Sequence, residues 1–242
     1  MTDASTMRPG DSDPEWDSPG GVETVRVAAT AYFAVQAPET ASVTSPCTVV
    51  ALHGWGQNCR SFLRRLGPFA DAGITVVAPQ APHQTYLDLE TRKVGFSWLT
   101  NYDRHRAVPD LVGLLDTVLA EVSRSHGPLG SIFLLGFSQG VSVAYRYACQ
   151  GTHSCAGVIA CGGDLPPDVA RSLPEQRPFP VLLVHGAEDA IVPVSKADAA
   201  LEVFQALSWP VEHIRFDGGH EIAPAIAGEI ARWIRILTGK TG

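Results

Sequence analysis

Short, mostly apolar segments recur along the chain and alternate with segments whose apolar residues have helical spacing. Each apolar segment has the length of a strand and predicts a buried strand of a parallel sheet. This alternation predicts a mainly parallel sheet covered by helices on both faces. The predicted strands are Cys47–Leu52, Ile74–Ala78, Ser131–Leu135, Ala156–Ala160, Pro180–Val184 and Val211–Phe216.

The intervening segments place their apolar side chains on one helical face. Proline and aspartate open one of these helices, and glycines end two of them. The predicted helices run over 60–70, from Pro109 to Gly127, through 143–148, from a cap at Ser195 to about Ala206, and from Ile226 to Leu237.

Three stretches do not fit this regular alternation. Residues 1–20 are rich in Asp, Ser, Pro and Gly and lack periodicity, which predicts a disordered tail before a single domain of residues 21–242. The loose alternation from Val22 to Gln36 predicts two further strands that turn near Thr30, for eight strands in all. The polar and aromatic segment from His83 to Arg106 shows no clear element, and loops of this length usually cover or line a site.

Composition narrows the classes of protein that remain. The chain has 242 residues, of which 45% are hydrophobic, enough for a large core. A net charge of −7 argues against a nucleic-acid partner. No apolar run is long enough for stable membrane insertion, and the acidic N-terminus does not resemble a secretory signal. Five cysteines without C-x-x-C spacing predict free thiols and a cytoplasmic location.

A sharp turn is predicted where the strand Ser131–Leu135 runs into Gly136-Phe137-Ser138-Gln139-Gly140. This sequence matches G-x-S-x-G, in which a strand-to-helix turn strains the central residue and exposes its hydroxyl. A Cβ atom at either glycine is expected to collide with the neighbouring strand or helix. The alternative is a glycine-rich turn with an incidental serine, but the predicted strand and helix around Ser138 favour a nucleophile.

Other reactive side chains also follow predicted strands, and the carboxyl ends of parallel strands share one edge of a sheet. A serine hydroxyl needs a base to take its proton, and His220 can act as that base. Asp189 is expected to orient the imidazole, with Glu188, Asp217 and Asp164 as competing carboxylates.

The developing oxyanion needs two N–H donors, which we expect from the backbones of Trp55 and Gln139. His53 and His185 are expected to be scaffolding beside the site. Trp98 is either a wall of the substrate pocket or an aromatic side chain packed under its own loop. No H-E-x-x-H or close His/Cys pair occurs, so neither a metal nor another cofactor is expected.

Five motifs in this order resemble those of the carboxylesterase/phospholipase family of α/β-hydrolases, which includes acyl-protein thioesterases. They are LHGWG (52–56), PQAP (79–82), GFSQG (136–140), HGAEDAIVP (185–193) and GGHEI (218–222). The resemblance spans about Cys47 to Leu237. It implies a single-domain α/β-hydrolase fold, with an eight-stranded sheet whose second strand is antiparallel. It also implies a catalytic triad of Ser138, Asp189 and His220 with oxyanion donors at Trp55 and Gln139.

This chain departs from the family pattern in three places. Val141 stands where a second glycine is usual, and Gln57-Asn58-Cys59 stands where an acidic residue is frequent. The segment from His83 to Arg106 matches only loosely, through Trp98. The first departure concerns packing behind the turn, and the other two concern the choice of substrate.

The sequence therefore predicts a serine hydrolase that cleaves a small-molecule or lipid ester, or a thioester, through an acyl-enzyme. An amidase or peptidase with the same triad is the alternative within enzymes. A non-catalytic ligand-binding protein of the same fold is the alternative outside them. A homodimer is one of the oligomeric states that the sequence allows.

Overall fold

Seven strands form one sheet in the part of the chain that the computed structural model describes, residues 21–38 and 46–239. The tail predicted for residues 1–20 lies outside the described residues. The strands are β1 (Phe33–Gln36), β2 (Cys47–Leu52), β3 (Thr75–Pro79), β6 (Ser131–Phe137), β7 (Cys155–Cys161), β8 (Val181–Gly186) and β9 (Val211–Phe216). Along the sheet the order is β1-β3-β2-β6-β7-β8-β9.

The first strand of this sheet, β1, runs antiparallel to β3, and all other neighbouring strands run parallel. This mainly parallel arrangement confirms the predicted fold class. A separate two-stranded hairpin consists of β4 (His83–Asp88) and β5 (Lys93–Ser97).

Helices pack on both faces of the sheet, because successive residues of its buried strands point in opposite directions. The helices are α1 (Cys59–Leu63), α2 (Gly67–Asp71), α3 (Arg104–His126), α4 (Gln139–Gln150), α5 (Pro167–Ser172), α6 (Ser195–Ala206) and α7 (Pro224–Leu237). Val50 and Leu52 of β2 join one apolar cluster with helices α3, α4 and α6, whereas Val49 and Ala51 join another with α1, α2 and α7.

The stretch from Val22 to Gln36 forms one strand rather than the predicted two. Only Phe33–Gln36 pairs with the sheet, so the described sheet has seven strands and not eight. Val25 and Val27 are 85% and 80% exposed, so the alternation before Thr30 meets no apolar surface to pack against. The second predicted strand is thus β1, and it is the antiparallel strand that the resemblance implied.

The segment from His83 to Arg106 was predicted to have no clear element, and it contains the β4–β5 hairpin and the start of α3. All but one residue of β4 are exposed, which removes the apolar periodicity that signals a strand. Helix α3 begins at Arg104, with Pro109 inside it rather than at its start.

Two other helix boundaries differ from the predicted ones. The helix predicted over 60–70 is divided by a 3-10 turn at Arg64–Leu66. Pro68, which has no N–H to donate, lies in the first turn of the second part. Ser195 is the first residue of α6 rather than its cap, which is Val194.

Cys59, Cys149, Cys155 and Cys161 are free thiols. Burial raises the pKa of Cys149 to about 11, with a smaller contribution from Asp168, and raises that of Cys155 to about 12. In the described chain, none of the helices combines the length and apolarity that a membrane span needs.

Candidate active site

Ser138 alone forms the turn between β6, which ends at Phe137, and α4, which begins at Gln139. Its backbone has φ 53° and ψ −119°, a conformation that a residue with a Cβ adopts only at some cost. The Ser138 N–H donates to Cys161 O at 2.9 Å, which ties the turn to the end of β7. This is the strained turn that the sequence predicted.

The two flanking glycines allow the chain to pass close to its neighbours. A Cβ atom on Gly140 would lie 2.0 Å from Leu52 O, and one on Gly136 would lie 2.5 Å from Gly140 O. The collisions expected from the sequence are therefore present on both sides of Ser138. Val141, which stands where the family usually has a glycine, is fully buried, and a Cβ on Gly163 would lie 2.5 Å from its Cγ2. Gly163 thus makes room for the side chain that departs from the pattern.

His220 and Asp189 come together from the ends of β9 and β8. His220 Nδ1 lies 2.7 Å from Asp189 Oδ2, and the Asp189 side chain is fully buried. Asp189 Oδ1 accepts the backbone N–H groups of Ile191 and Val192 at 2.9 and 2.8 Å. Because a carboxylate only accepts, Nδ1 of His220 carries a hydrogen, and its Nε2 is left as the basic nitrogen.

Hydrogen bonds keep Asp189 ionised. Burial acts to raise the pKa of this carboxyl, but the bonds from His220, Val192 and Ile191 outweigh burial and lower the pKa below its ordinary value. Of the three competing carboxylates, Glu188 and Asp217 are exposed, and Asp164 lies 3.9 Å from Lys196 Nζ. Asp189 is therefore the carboxylate that hydrogen-bonds His220.

The imidazole of His220 also packs beside the Ser138 turn. Its ring centroid lies 4.8 Å from that of Phe137, the residue that precedes Ser138. Gly162, at the end of β7, lies against the same ring, because a Cβ there would be 3.3 Å from His220 Nδ1. The ends of β6, β7, β8 and β9 thus meet at one edge of the sheet, as the sequence predicted.

The loop after β2 lies directly against Ser138. A Cβ on Gly54 would be 3.2 Å from Ser138 Cβ, and the Gly54 N–H donates to Gln57 Oε1 at 2.9 Å. Neither the Trp55 N–H nor the Gln139 N–H donates to another group in the described chain. As the first residue of α4, Gln139 has a backbone N–H that no helical carbonyl can accept. Both groups are thus available as donors beside the turn.

His53 and Trp98 form a buried support beneath this loop. Trp98 is fully buried, its Nε1–H donates to His53 O at 2.7 Å, and the two ring centroids lie 5.0 Å apart. His53 Nε2 contacts Gln80 Nε2 at 2.9 Å and Ala81 N at 3.2 Å. These contacts join His53 and Trp98 in one packed cluster.

His185, the second expected scaffold residue, lies under Asp189. Its Nε2 is 2.8 Å from Val192 O and 3.3 Å from Asp189 Oδ2. Its Nδ1 is buried and has no hydrogen-bond partner among the described residues.

The side chain of Gln139 makes contacts that the sequence did not indicate. Its Oε1 accepts the Trp98 N–H, and its Nε2 donates to Leu99 O, both at 2.9 Å. These bonds join α4 to the segment after the hairpin across about 40 residues of chain, a separation over which the sequence carried no pairing signal.

A cavity of about 290 Å³ opens beside Ser138. Leu99 lines it, and Trp98 does not. Within the described residues, His, Cys, Asp and Glu side chains form no group of three or more that could hold a metal ion. The polar residues around the cavity are Arg104, Ser138, Gln139, Ser142, Arg146 and Asp164.

Known proteins with related sequences and folds include esterases and thioesterases. The sequence profile of the family described as Phospholipase/Carboxylesterase matches residues 30–238. Acyl-protein thioesterase 1 from Gibberella zeae is 27% identical over 110 residues, 43% of this chain and 47% of that protein, so the match spans about half its length. Acyl-protein thioesterase 1 from Yarrowia lipolytica is 24% identical over 175 residues, 66% of this chain and 76% of that protein.

Solved structures share the same fold. The crystal structure of esterase PE8 has a TM-score of 0.69 and 26% identity, and the alignment covers 86% of this chain and all of that one (100%). Acyl-protein thioesterase 2 from Zea mays has a TM-score of 0.64 and 20% identity, over 85% of this chain and 98% of the other. At that identity the second likeness shows the fold alone.

Proposed function

Because this chain belongs to the phospholipase/carboxylesterase family, we propose that it hydrolyses carboxylic esters or thioesters with Ser138, His220 and Asp189 as a catalytic triad. The observation that carries the proposal is the 2.7 Å hydrogen bond between His220 Nδ1 and the buried Asp189, beside the strained turn at Ser138. The names of the relatives, acyl-protein thioesterase and esterase, support the same class of reaction.

In the first half of the reaction, His220 Nε2 takes the proton of Ser138 Oγ as that oxygen attacks the substrate carbonyl carbon. The carbonyl oxygen becomes an oxyanion, which accepts the backbone N–H groups of Trp55 and Gln139. When the intermediate collapses, the bond to the alcohol or thiol breaks. The leaving group takes the proton from His220, and the acyl group remains on Ser138.

Water then reverses these roles. His220 takes a proton from the water that attacks the acyl-enzyme, the bond to Ser138 Oγ breaks, and the serine regains its proton as the carboxylic acid leaves. Asp189 stays ionised throughout, since its lowered pKa disfavours protonation, and it stabilises the imidazolium that forms in each half.

The test is covalent labelling together with turnover. A fluorophosphonate probe is expected to label the protein at Ser138, and Ser138→Ala is expected to abolish both labelling and the hydrolysis of p-nitrophenyl esters. Ser131→Ala, at the opposite end of β6, is the matched control and should retain both. Turnover that persists in Ser138→Ala would refute the assignment.

The base also gives the reaction a pH dependence. Because an imidazole accepts a proton only when it is neutral, kcat/KM is expected to fall as the solution is acidified. A flat pH–rate profile from neutral to acid pH would contradict a histidine base.

We also propose a cytoplasmic location, which the free thiols of Cys59, Cys149, Cys155 and Cys161 support, since oxidising compartments favour disulfides. Cell fractionation is expected to recover the protein with the cytoplasmic fraction. Recovery from an extracellular fraction would contradict this location.

A further inference from the structure

Two cavities share part of their lining, including two arginines. The first is the cavity of about 290 Å³ at Ser138, and the second has a volume of about 500 Å³. Both are lined by Arg104 and Arg146. We call the second cavity the arginine groove; its polar lining residues are Arg104, His105, Arg146, Gln150, Asp168 and Arg171.

Arg146 is the fixed element of the groove. It is only 4% exposed, and its Nε and Nη2 donate to the two carboxylate oxygens of Asp168, each at 2.8 Å. Its Nη1 donates to Ser142 O at 3.2 Å. This paired geometry holds Arg146 in one orientation, and Asp168 balances its charge.

Arg104 and Arg171 have no carboxylate paired with them in this way. Arg104 donates to Thr100 O and to Asn101 Oδ1, two neutral oxygens that orient the guanidinium without neutralising it. No carboxylate among the described residues lies within ion-pair distance of Arg104 or Arg171. Two unpaired guanidinium groups therefore line one groove, in a chain whose net charge is −7.

From this arrangement we propose that the arginine groove binds an anionic oxygen group, a carboxylate or phosphate, carried by the ester substrate. This inference rests on the proposed esterase function and names its substrate class. Guanidinium groups match the geometry of carboxylate and phosphate oxygens and bind them in preference to neutral groups.

The anionic group can be carried by the acyl part or by the alcohol part, and two matched substrate pairs distinguish these sources. For the acyl part, the p-nitrophenyl monoester of glutaric acid is compared with p-nitrophenyl pentanoate, in which a methyl group replaces the carboxylate. For the alcohol part, p-acetoxybenzoate is compared with its methyl ester. The quantity measured in each pair is the ratio of kcat/KM for the anionic ester to that for the neutral one.

We expect the wild type to favour the anionic member of at least one pair. Arg104→Gln and Arg171→Gln should each lower that ratio roughly fivefold, and the double variant should lower it further. Added salt should also lower the wild-type ratio, because it screens exposed charges. Both arginines are exposed, so these variants are expected to fold. Arg124→Gln, at the far end of α3 and paired with Glu121, is the matched control and should leave the ratio unchanged.

Each outcome has one meaning. A ratio that falls for the first pair assigns the anion to the acyl part, and one that falls for the second pair assigns it to the alcohol part. A protein that cleaves the neutral esters but shows the same ratios in wild type and both arginine variants overturns the groove proposal alone. A protein that cleaves no ester and takes no fluorophosphonate label overturns the proposed function, and the groove proposal with it.

Discussion

The two carboxylate oxygens of Asp189 have different partners, and the difference assigns a task to His185. Oδ1 accepts two backbone N–H groups, which fix the carboxylate in place. Oδ2 accepts from His220 at 2.7 Å and lies 3.3 Å from His185 Nε2. Because Val192 O, 2.8 Å from the same nitrogen, can only accept, Nε2 of His185 carries a hydrogen that it shares between the carbonyl and the carboxylate. His185 is thus a positioning residue for the proposed triad.

Removing this donor is expected to slow catalysis while substrate binding persists. In His185→Leu we expect kcat to fall by about tenfold, the size of one lost hydrogen bond to a charged group, with little change in KM. The acidic limb of the kcat/KM profile should also move to higher pH, because Asp189 Oδ2 then has one donor fewer and attracts a protonated imidazole more strongly.

His185→Gln, whose amide can donate in the same direction, should restore most of kcat. The matched control is His126→Leu at the exposed end of α3, which should behave as the wild type does. Identical kcat values and pH profiles in His185→Leu and the wild type would show that His185 only fills space.

The sequence predicted which reactive residues follow the strands, but it did not predict where their side chains point. Ser138, Asp189 and His220 each follow a predicted strand, and parallel topology alone brings such positions to one edge. The contact of His185 with Asp189 depends on rotamers, which four residues of separation do not fix. Gln57 appeared only as a departure from a family pattern, although its side chain accepts the Gly54 N–H beside Ser138.

Among the elements, α4 and the segment that follows the hairpin are joined by one amide. The side chain of Gln139 accepts from Trp98 N and donates to Leu99 O, as a neighbouring strand would do. The hairpin is held from the other side, since Phe96 O accepts the Gly56 N–H at 2.8 Å. These bonds fix the position of Leu99 relative to the loop that carries Trp55. Leu99 lines the cavity beside Ser138.

Loss of this amide is expected to loosen the hairpin without removing the proposed oxyanion donor, which is a backbone group. In Gln139→Met, of similar length, the partly buried Trp98 N–H and Leu99 O lose their partner. We expect the free energy of unfolding to fall by about 2–3 kcal/mol, measured by urea denaturation. KM should rise, while the fluorophosphonate probe still labels Ser138.

Gln150→Met, at the exposed C-terminal end of the same helix, is the matched control and should change stability by less than about 0.5 kcal/mol. Equal stabilities of the two variants would mean that the Gln139 bonds contribute nothing measurable to the folded state.

Elements that bury a continuous apolar surface were predicted well, and those that do not were predicted poorly. The strands β2, β6 and β8 are buried almost throughout and were recognised from their apolar runs. The hairpin strand β4 is largely exposed, so its pairing with β5 left no periodic signal. The reverse error occurred before Thr30, where alternation alone predicted a strand although no surface was available to bury it.

For the molecule as a whole, buried histidines link folding to pH. His53 is fully buried, and its Nε2 must accept the Ala81 N–H, so Nδ1 carries the hydrogen that is donated to Gly54 O at 2.8 Å. Burial lowers the pKa of His53 below its ordinary value near 6.5, against the opposing effect of the Gly54 hydrogen bond. Burial lowers the pKa of His213 as well, although Asp198 opposes it.

The sign of the pH effect follows from which state binds the proton. Below about pH 6.5 these histidines bind protons in the unfolded chain, whereas burial disfavours protonation in the folded chain. The free energy of unfolding therefore falls with acidification, by up to about 1.4 kcal/mol per pH unit for each group. Hydrogen-bonded carboxylates affect stability only at lower pH. Burial acts to raise the pKa of Asp116, Asp168 and Asp189, but hydrogen bonds outweigh it and lower all three. The stability that these carboxylates contribute is therefore intact above their ordinary pKa near 3.8 and is lost only below it.

The change in unfolding free energy between pH 7.5 and pH 5 consequently reports on the histidines and not on these carboxylates. Comparing His53→Gln with the wild type gives the part of that change that is due to His53. Glutamine keeps a hydrogen-bonding amide but cannot take a proton. We expect the wild type to be more stable at pH 7.5 and the difference in unfolding free energy to narrow by about 1 kcal/mol per pH unit below pH 6.5. The same difference for His126→Gln, an exposed position, should stay constant. A His53→Gln difference that does not change with pH would mean that His53 takes up a proton as readily in the folded chain as in the unfolded one.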